Sequence, residues 1–286
     1  MVQRLTSIRV FFQMKSLGQF LVLYFVALWL WAANAQSTSA AAKTLDIPSM
    51  SAAPSARIVP PPANYHFPDG QTFVYGVEWH LFNAGTAKVG IRGDGPQQHV
   101  TASAVSGGVI STLYKVNDQF DAFFDPHRFC SARVSKHIEE GSRTKQSELN
   151  FDYARGRSVF NERNLKTGEQ KHAENEIPDC VTDVVSGFYY LGSLPLQVGN
   201  AYAFTVNDGG KTNEITARVE TREKIKVPAG TFDAVRVKAE AVSGALHGKG
   251  TVWAWFTDDG AHTPVQMRSK LGWGTLLFRL QRVEKD

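Results

Sequence analysis

Residues 73–81, Phe-Val-Tyr-Gly-Val-Glu-Trp-His-Leu, decide the fold class, because large apolar side chains occupy every second position along them. Successive side chains of a β-strand point to opposite faces, so this alternation predicts a strand with one apolar face. A break at Asn83–Gly85 and renewed alternation from Ala87 to Ile91 predict a hairpin. The same period of two recurs over residues 114–124 and 276–280.

Turn signals separate further strand-like stretches along the chain. Asn207–Gly210 joins two alternating segments, and Asp258–Gly260 follows the apolar run 252–256. Residues 181–191 instead have apolar side chains at helical spacing, with Asp179 as the predicted N-cap. Many antiparallel strands and one short helix near 181–191 predict an all-β domain, built as a curved antiparallel sheet or a half-open β-barrel.

Residues 1–35 have the composition of a cleavable signal peptide. A start with three cations and no acid precedes the apolar run Phe20–Trp31, and Ala33–Ala35 has the small-residue pattern at which signal peptidases cleave. The apolar run is shorter than the ~20 residues of a membrane span, so no stable span is expected after cleavage. We therefore predict cleavage after Ala35 and a periplasmic or secreted protein. An uncleaved membrane anchor is the alternative.

The remaining chain divides into a linker and one domain. Residues 36–63 are rich in Ala, Ser and Pro and predict a disordered linker, whereas residues 64–286 are long enough for a single β-rich domain. The whole chain carries a net charge of +4, and subtracting the three cations of the signal leaves +1. Nucleic-acid binding requires a concentrated basic surface, so the sequence predicts no nucleic-acid partner.

The two cysteines, Cys130 and Cys180, predict a disulfide, since exported proteins with an even number of cysteines usually pair them. Two separate buried thiols are the alternative. The histidines lack the i, i+4 spacing of a metalloprotease helix, so no metal and no cofactor are predicted. Residues 104–108 approximate a nucleophile elbow around Ser106, but a strand is expected over 109–114, where the motif requires a helix.

Six stretches carry a resemblance to a known family. The domain resembles an uncharacterised family of exported bacterial proteins, domain of unknown function 3108. The resemblance covers Tyr65–Arg282, and its stretches are Phe73–Trp79, Leu113–Phe120, Cys180–Tyr190, Val227–Phe232, Trp255–Gly260 and Thr263–Val265. It implies an exported β-rich domain similar to the half-barrel carriers of lipids and lipoproteins in the periplasm, and it brings no catalytic residues.

Two acids and several aromatic residues are the candidate site. Asp118 shares a face with the apolar residues of its strand, and Asp183 lies in the first turn of the predicted helix. Either acid is a polar group of a ligand pocket or, as the alternative, a structural partner of an arginine or a helix end. The aromatic residues line an apolar cavity or form an ordinary core. The predicted ligand-binding residues are Trp79, Asp118, Phe120, Phe124, Asp183, Phe188, Tyr189, Trp253 and Trp255.

These observations lead to a hypothesis of a non-enzymatic protein that binds an apolar or lipid-like ligand. One alternative is a structural or assembly protein of the cell envelope that acts through contacts with an unidentified protein partner. Another is an uncharacterised hydrolase that uses Asp118, Asp183 or the pair Asp258 and Asp259. The hydrolase requires these acids to converge in one cleft.

Overall fold

The computed structural model describes residues 56–79, 82–244, 247–272 and 274–285. Within these ranges the chain forms two short helices and one sheet of fourteen strands. The helices are α1 (Gly108–Leu113) and α2 (Val184–Ser193). The strands are β1 (Gln71–Trp79), β2 (Phe82–Asp94), β3 (Gln97–Ser106), β4 (Asn117–Phe124), β5 (Ser131–Glu140), β6 (Arg143–Asp152), β7 (Arg157–Asn164), β8 (Gln170–Glu176), β9 (Ala201–Asp208), β10 (Lys211–Val227), β11 (Gly230–Ala241), β12 (Gly250–Thr257), β13 (Pro264–Leu271) and β14 (Gly274–Lys285).

The sheet is an antiparallel meander with its first strand near the middle. Its order is β8-β7-β6-β5-β4-β3-β2-β1-β14-β13-β12-β11-β10-β9, so β1 pairs with β14 and the free edges are β8 and β9. No ladder joins β8 to β9 within the described residues, and α2 lies in the connection between them. The predicted all-β fold, a curved antiparallel sheet with the form of a half-open barrel, is confirmed.

The face of the sheet that packs against α2, called the inner face below, carries most of the apolar core. In β1 Phe73, Tyr75 and Val77 belong to the core of this face, as the alternation predicts, whereas Val74 is buried on the other face. Position 81, which the sequence also placed in this strand, lies outside the described residues. The core continues around the sheet through similar alternation in the other strands, so one face of the meander excludes water.

The predicted break at Asn83–Gly85 is wrong, because these residues lie inside β2. In the first hairpin Trp79 pairs with Phe82, and the register shifts between the pairs Val77–Gly85 and Glu78–Asn83. Gly85 has a φ of 148°, and a Cβ there would lie 2.0 Å from the Val105 carbonyl oxygen. The glycine therefore marks a β-bulge within the strand, a use of glycine that resembles a turn signal in sequence.

The helix that follows β3 also differs from its prediction. Residues 109–114 were expected to enter a strand, but residues 108–113 form α1, whose first residue, Gly108, turns the chain with a φ of 59°. None of the residues of α1 is buried, and the Val109 side chain is 75% exposed. A short apolar run without a buried face has no period that distinguishes helix from strand. Ser106 Oγ accepts a hydrogen bond from the Val116 backbone N–H at 2.9 Å.

Helix α2 begins later than the sequence predicts, and Asp183 rather than Asp179 is its N-cap. The residues before it are extended, because Thr182 pairs with β9 in parallel orientation. Thr182 N–H donates to the Thr205 carbonyl at 3.1 Å, and Asn207 N–H donates to the Thr182 carbonyl at 2.8 Å. This pairing prevents a helical start at residue 181.

Residues 180–183, called the seam segment below, connect the two arms of the sheet, which are β1 to β8 and β9 to β14. On one side this segment pairs with β9, and on the other the Ser131 N–H at the start of β5 donates to the Val181 carbonyl at 2.8 Å. The predicted disulfide is confirmed between Cys130, which precedes β5, and Cys180. A covalent bond and backbone hydrogen bonds therefore hold β5 close to β9.

The first described residues pack on the domain. Ile58 and Val59 contact the core, and the Arg57 N–H donates to the Ala203 carbonyl at 3.0 Å. Over 56–63 the chain thus differs from the disordered linker predicted for 36–63, because it contains apolar side chains that the core covers. The predicted signal peptide, its cleavage site and residues 36–55 of the linker lie outside the described residues. In the part of the chain that the structure covers, no helix has the length and apolar character to cross a membrane.

The disulfide position generates a stability prediction. Cys130 and Cys180 are separated by 50 positions, so the bond restricts a long loop of the unfolded chain. We expect the double variant Cys130→Ala, Cys180→Ala to lose about 2–4 kcal/mol of unfolding free energy, measured by urea denaturation. Wild-type protein denatured with and without a reducing agent is the control, and an unchanged midpoint in both comparisons would contradict the prediction.

Candidate functional site

The space around helix α2 forms three cavities among the described residues. The apolar cavity, of about 300 Å³, lies between α2 and the inner face of β9 to β14. The seam cavity, of about 180 Å³, lies between the start of α2 and the inner faces of β2 to β6. The tyrosine pocket, of about 330 Å³, lies between α2, residues 65–68 and the turn that joins β12 to β13.

The apolar cavity is lined mainly by side chains of aliphatic and aromatic residues. Its apolar lining includes Phe188, Leu191, Ile215, Met267, Leu276 and Phe278. Glu240 and Lys249 are the charged residues of this lining among those described. The space is open to solvent on one side, so a ligand can enter it without a change in the fold.

The seam cavity has an apolar wall and a polar end. Phe120, Val134 and Leu149 contribute to the wall, and Lys136 and Asp208 lie at the polar end. The Lys136 ammonium donates to Asp208 Oδ1, which joins β5 to β9 through an ion pair whose side chains are 16% and 2% exposed. The residues of β9 from Phe204 to Asp208 are all buried, because both faces of this edge strand are covered.

The tyrosine pocket places a buried hydroxyl next to aromatic rings. The Tyr189 hydroxyl has no hydrogen-bond partner among the described residues, and burial raises the pKa of Tyr189. Phe188 lines both this pocket and the apolar cavity, and its ring centroid is 5.6 Å from that of Phe256. His262 Nδ1 is 2.8 Å from the Gly192 carbonyl oxygen, which links the β12–β13 turn to the end of α2.

Asp183 fixes the start of α2. Its Oδ1 accepts the backbone N–H groups of Val185 and Ser186 at 2.8 and 3.0 Å, and its Oδ2 accepts the Ser131 hydroxyl at 2.6 Å. The Ser131 hydroxyl in turn accepts the Asp183 N–H at 2.8 Å. These contacts use both carboxylate oxygens, so Asp183 borders the seam cavity as a helix cap whose oxygens are already bonded.

Asp118 is buried on the inner face, in phase with Phe120 as the sequence predicts. Its Oδ1 accepts the Glu139 N–H at 3.0 Å. Burial, together with the neighbouring Glu140 carboxyl, raises the pKa of Asp118 from its ordinary value of 3.8 to about 8. Asp118 is therefore largely protonated at pH 7, and it borders none of the three cavities.

The other predicted site residues fall into three groups. Phe120 and Asp183 line the seam cavity, whereas Phe188 and Tyr189 line spaces beside α2. Phe124 is fully buried in an aromatic cluster, with its ring centroid 5.1 Å from that of Phe129.

The predicted tryptophans lie away from the cavities. Trp79 packs against the core at the end of β1. Trp253 and Trp255 lie on the face opposite the inner face, where the Arg268 guanidinium stacks 4.3 Å from the Trp253 ring. Trp255 Nε1 donates to Glu223 at 2.8 Å. These three residues border none of the cavities around α2.

The acids of the hydrolase hypothesis have separate partners. Asp258 accepts Arg222 Nε at 2.7 Å, and Asp259 accepts the Thr257 hydroxyl at 2.7 Å within the β12–β13 turn. No contact in the described residues joins either acid to Asp118 or Asp183. The histidines, cysteines and acids of the described ranges also form no group of three that could hold a metal ion.

Sequence reasoning missed the polar end of the seam cavity. Lys136 is in phase with Val134 and Ile138, so a cation stands on the apolar face of β5. That pattern was the available signal, since a charged side chain on a buried face requires a partner. Its partner Asp208 precedes a turn and resembles an ordinary turn residue.

Comparison with known proteins places the chain in a family. Residues 74–281 match the family described as protein of unknown function DUF3108, and the chain belongs to it. This confirms the resemblance that the sequence motifs indicated. No curated protein matched the chain.

Comparison with solved structures supports the fold. A β-barrel-like protein of the DUF1849 family from Brucella abortus is similar, with a TM-score of 0.53, 10% identity, and coverage of 81% of this chain and 99% of that one. A Bacteroides fragilis protein described as exported and as having a YmcC-like fold has a TM-score of 0.35, 10% identity, and coverage of 77% and 98%. The first similarity supports the fold alone. The TM-score of the second is too low to support a conclusion.

The raised pKa of Asp118 predicts a pH dependence of stability. Because the folded state retains a proton that the unfolded state has released, the free energy of unfolding should fall as the pH rises from about 4 to about 8. The variant Asp118→Asn keeps an acceptor for the Glu139 N–H and lacks this titration. Its stability relative to wild type should rise by up to about 1.4 kcal/mol for each pH unit in that interval.

Urea denaturation at several pH values measures this difference. The substitution Asp94→Asn, at an exposed position at the end of β2, is the control and should follow the wild-type curve more closely. Parallel curves for Asp118→Asn and wild type between pH 4 and pH 8 would contradict the prediction.

Proposed function

We propose that the protein is exported and binds an apolar or lipid-like ligand without catalysing a reaction on it. The observation that carries this proposal is the apolar cavity of about 300 Å³ between α2 and the inner face of β9 to β14. Ligand pockets in proteins begin at roughly this volume and are lined mainly by apolar side chains with a few polar groups. The cavity has this composition.

The position of the cavity supports binding rather than incomplete packing. Phe188 and Leu191, on α2, form one wall, and Met267 and Phe278, on the inner face, form another. Both walls belong to elements that are anchored elsewhere, because α2 is capped by Asp183 and the strands are paired along their lengths. An apolar ligand would gain favourable transfer from water without requiring either wall to fold.

Export is supported by two independent features. The signal-like composition of residues 1–35 directs a chain across a membrane. The Cys130–Cys180 disulfide belongs to an oxidising compartment, since cytosolic thiols are kept reduced. An apolar ligand transported between membranes requires a carrier that shields it from water, and such a protein has to reside where the ligand travels.

A substitution that fills the cavity tests the proposal. Ala241 lines the apolar cavity near the end of β11, and Val242 follows it with 46% of its surface exposed. We expect Ala241→Trp to weaken binding of 1-decanol at least about tenfold, because the indole occupies the space of the ligand. The matched control Val242→Trp adds the same side chain outside the cavity and should bind as wild type does.

Native mass spectrometry of delipidated protein titrated with 1-decanol provides the measurement, and extracts of untreated protein identify any ligand that copurifies. Equal binding by Ala241→Trp and Val242→Trp would contradict the assigned cavity. Absence of binding to wild type, together with a partner captured by cross-linking in the envelope, would favour the alternative of an assembly protein.

A further inference from the structure

The polar end of the seam cavity contains hydrogen-bonding atoms that the fold leaves without partners. Asp208 is 3% exposed and Asn207 is 1% exposed, and both line this cavity. Asp208 Oδ2 and Asn207 Oδ1 have no hydrogen-bond partner among the described residues. Successive side chains of a strand point to opposite faces, so Asp208, in phase with Phe204 and Val206, faces the cavity, whereas the Asn207 side chain lies on the other face and donates to Thr212. A buried acceptor without a donor is unfavourable, so Asp208 Oδ2 points to a group that carries a hydrogen-bond donor.

Lys136 supplies the complementary donor at the same place. Its ammonium uses one N–H for Asp208 Oδ1 and lies 5.5 Å from the centre of the Phe120 ring. An ammonium has three donors, so it has capacity for an acceptor in the cavity. The polar end therefore offers one acceptor, Asp208 Oδ2, and one donor group, whereas the opposite wall, which includes Val134 and Leu149, is apolar.

The paired charges select the kind of polar group that fits. A carboxylate that approached Lys136 would also approach the Asp208 carboxylate and be repelled, and an ammonium would be repelled by Lys136 in the same way. A hydroxyl group donates one hydrogen bond and accepts others without a net charge. It can donate to Asp208 Oδ2 while it accepts from Lys136.

We propose that the seam cavity binds the hydroxyl end of an uncharged amphiphile, such as a long-chain alcohol or a partial ester of a polyol. The seam cavity and the apolar cavity share one lining residue, Val184 in the first turn of α2, so a ligand that extends past this side chain reaches from one cavity into the other. The alkyl chain of the same ligand then lies in the apolar cavity. This inference rests on the proposed function and adds the chemical class of the polar end.

Variants that each remove one charge of the ion pair test the inference with three probes of equal chain length: 1-decanol, decanoate and decylammonium. Asp208→Asn leaves the Lys136 cation without its counter-ion and should raise the affinity for decanoate relative to 1-decanol at least about tenfold. Lys136→Met leaves the Asp208 anion and should raise the affinity for decylammonium relative to 1-decanol by a similar factor. Isothermal titration calorimetry at pH 7 gives the affinity ratios.

A double variant covers the case in which a single unpaired charge prevents folding. Lys136→Met, Asp208→Leu removes both charges and should weaken 1-decanol binding about tenfold relative to wild type through the lost hydrogen bonds. The matched control is Lys145→Met, Glu162→Leu. This ion pair has an N–O distance of 2.7 Å and side chains 16% and 10% exposed, and it borders none of the three cavities. The control should bind 1-decanol as wild type does.

The outcomes separate this inference from the proposed function. The hydroxyl site would be overturned if the affinity ratios stayed at the wild-type value in both single variants. Apolar binding would remain intact if wild type still bound 1-decanol and Ala241→Trp bound it more weakly. In that case water, and not a ligand hydroxyl, satisfies Asp208 Oδ2. If wild type binds none of the three probes, the hydroxyl site and the proposed function both fail.

Discussion

The backbone hydrogen bonds of the seam segment are the constraint on which the rest of the structure depends. Residues 180–183 lie between β5 and β9 and bond to both, so they join two arms of a sheet whose own edges have no shared ladder. The same residues end in Asp183, which caps α2 and bonds Ser131 at the start of β5. The position of the helix above the inner face therefore follows from how the arms are joined.

The cavities are a consequence of this arrangement. The inner face spans fourteen strands, and the ten residues of α2 are too few to cover it, so space is left on either side of the helix. On the side of β9 to β14 that space is apolar, and on the side of β2 to β6 it includes the pair of Lys136 and Asp208. One short helix thus creates neighbouring compartments of different polarity. An amphiphile likewise has a polar end and an apolar chain.

The sequence predicted the alternating strands and helix α2 because each has a local signal, and it predicted the disulfide because the chain has two cysteines and a signal-like start. It could not specify the lining of the cavities, because a period of two shows which residues share a face but not which face is inner. Around β12, Val252, Ala254 and Phe256 alternate with Trp253 and Trp255, and both sets are apolar. The tryptophans lie on the opposite face, where Arg268 and Glu223 contact them. Which of the two faces of β12 is the inner face is decided by its pairing with strands that are distant in sequence.

The pairing of β1 with β14 has a consequence for how the chain acquires its structure. Gln71 pairs with Lys285, so the central ladder of the sheet joins the two ends of the domain. A contact between residues so far apart in sequence forms late, because closing a long loop costs entropy before the contact stabilises it. A chain that emerges N-terminus first from a membrane pore or a ribosome therefore keeps an unpaired edge on β1 until its last strand arrives. For this domain, residues 71–285 must all be synthesised before the central ladder can close.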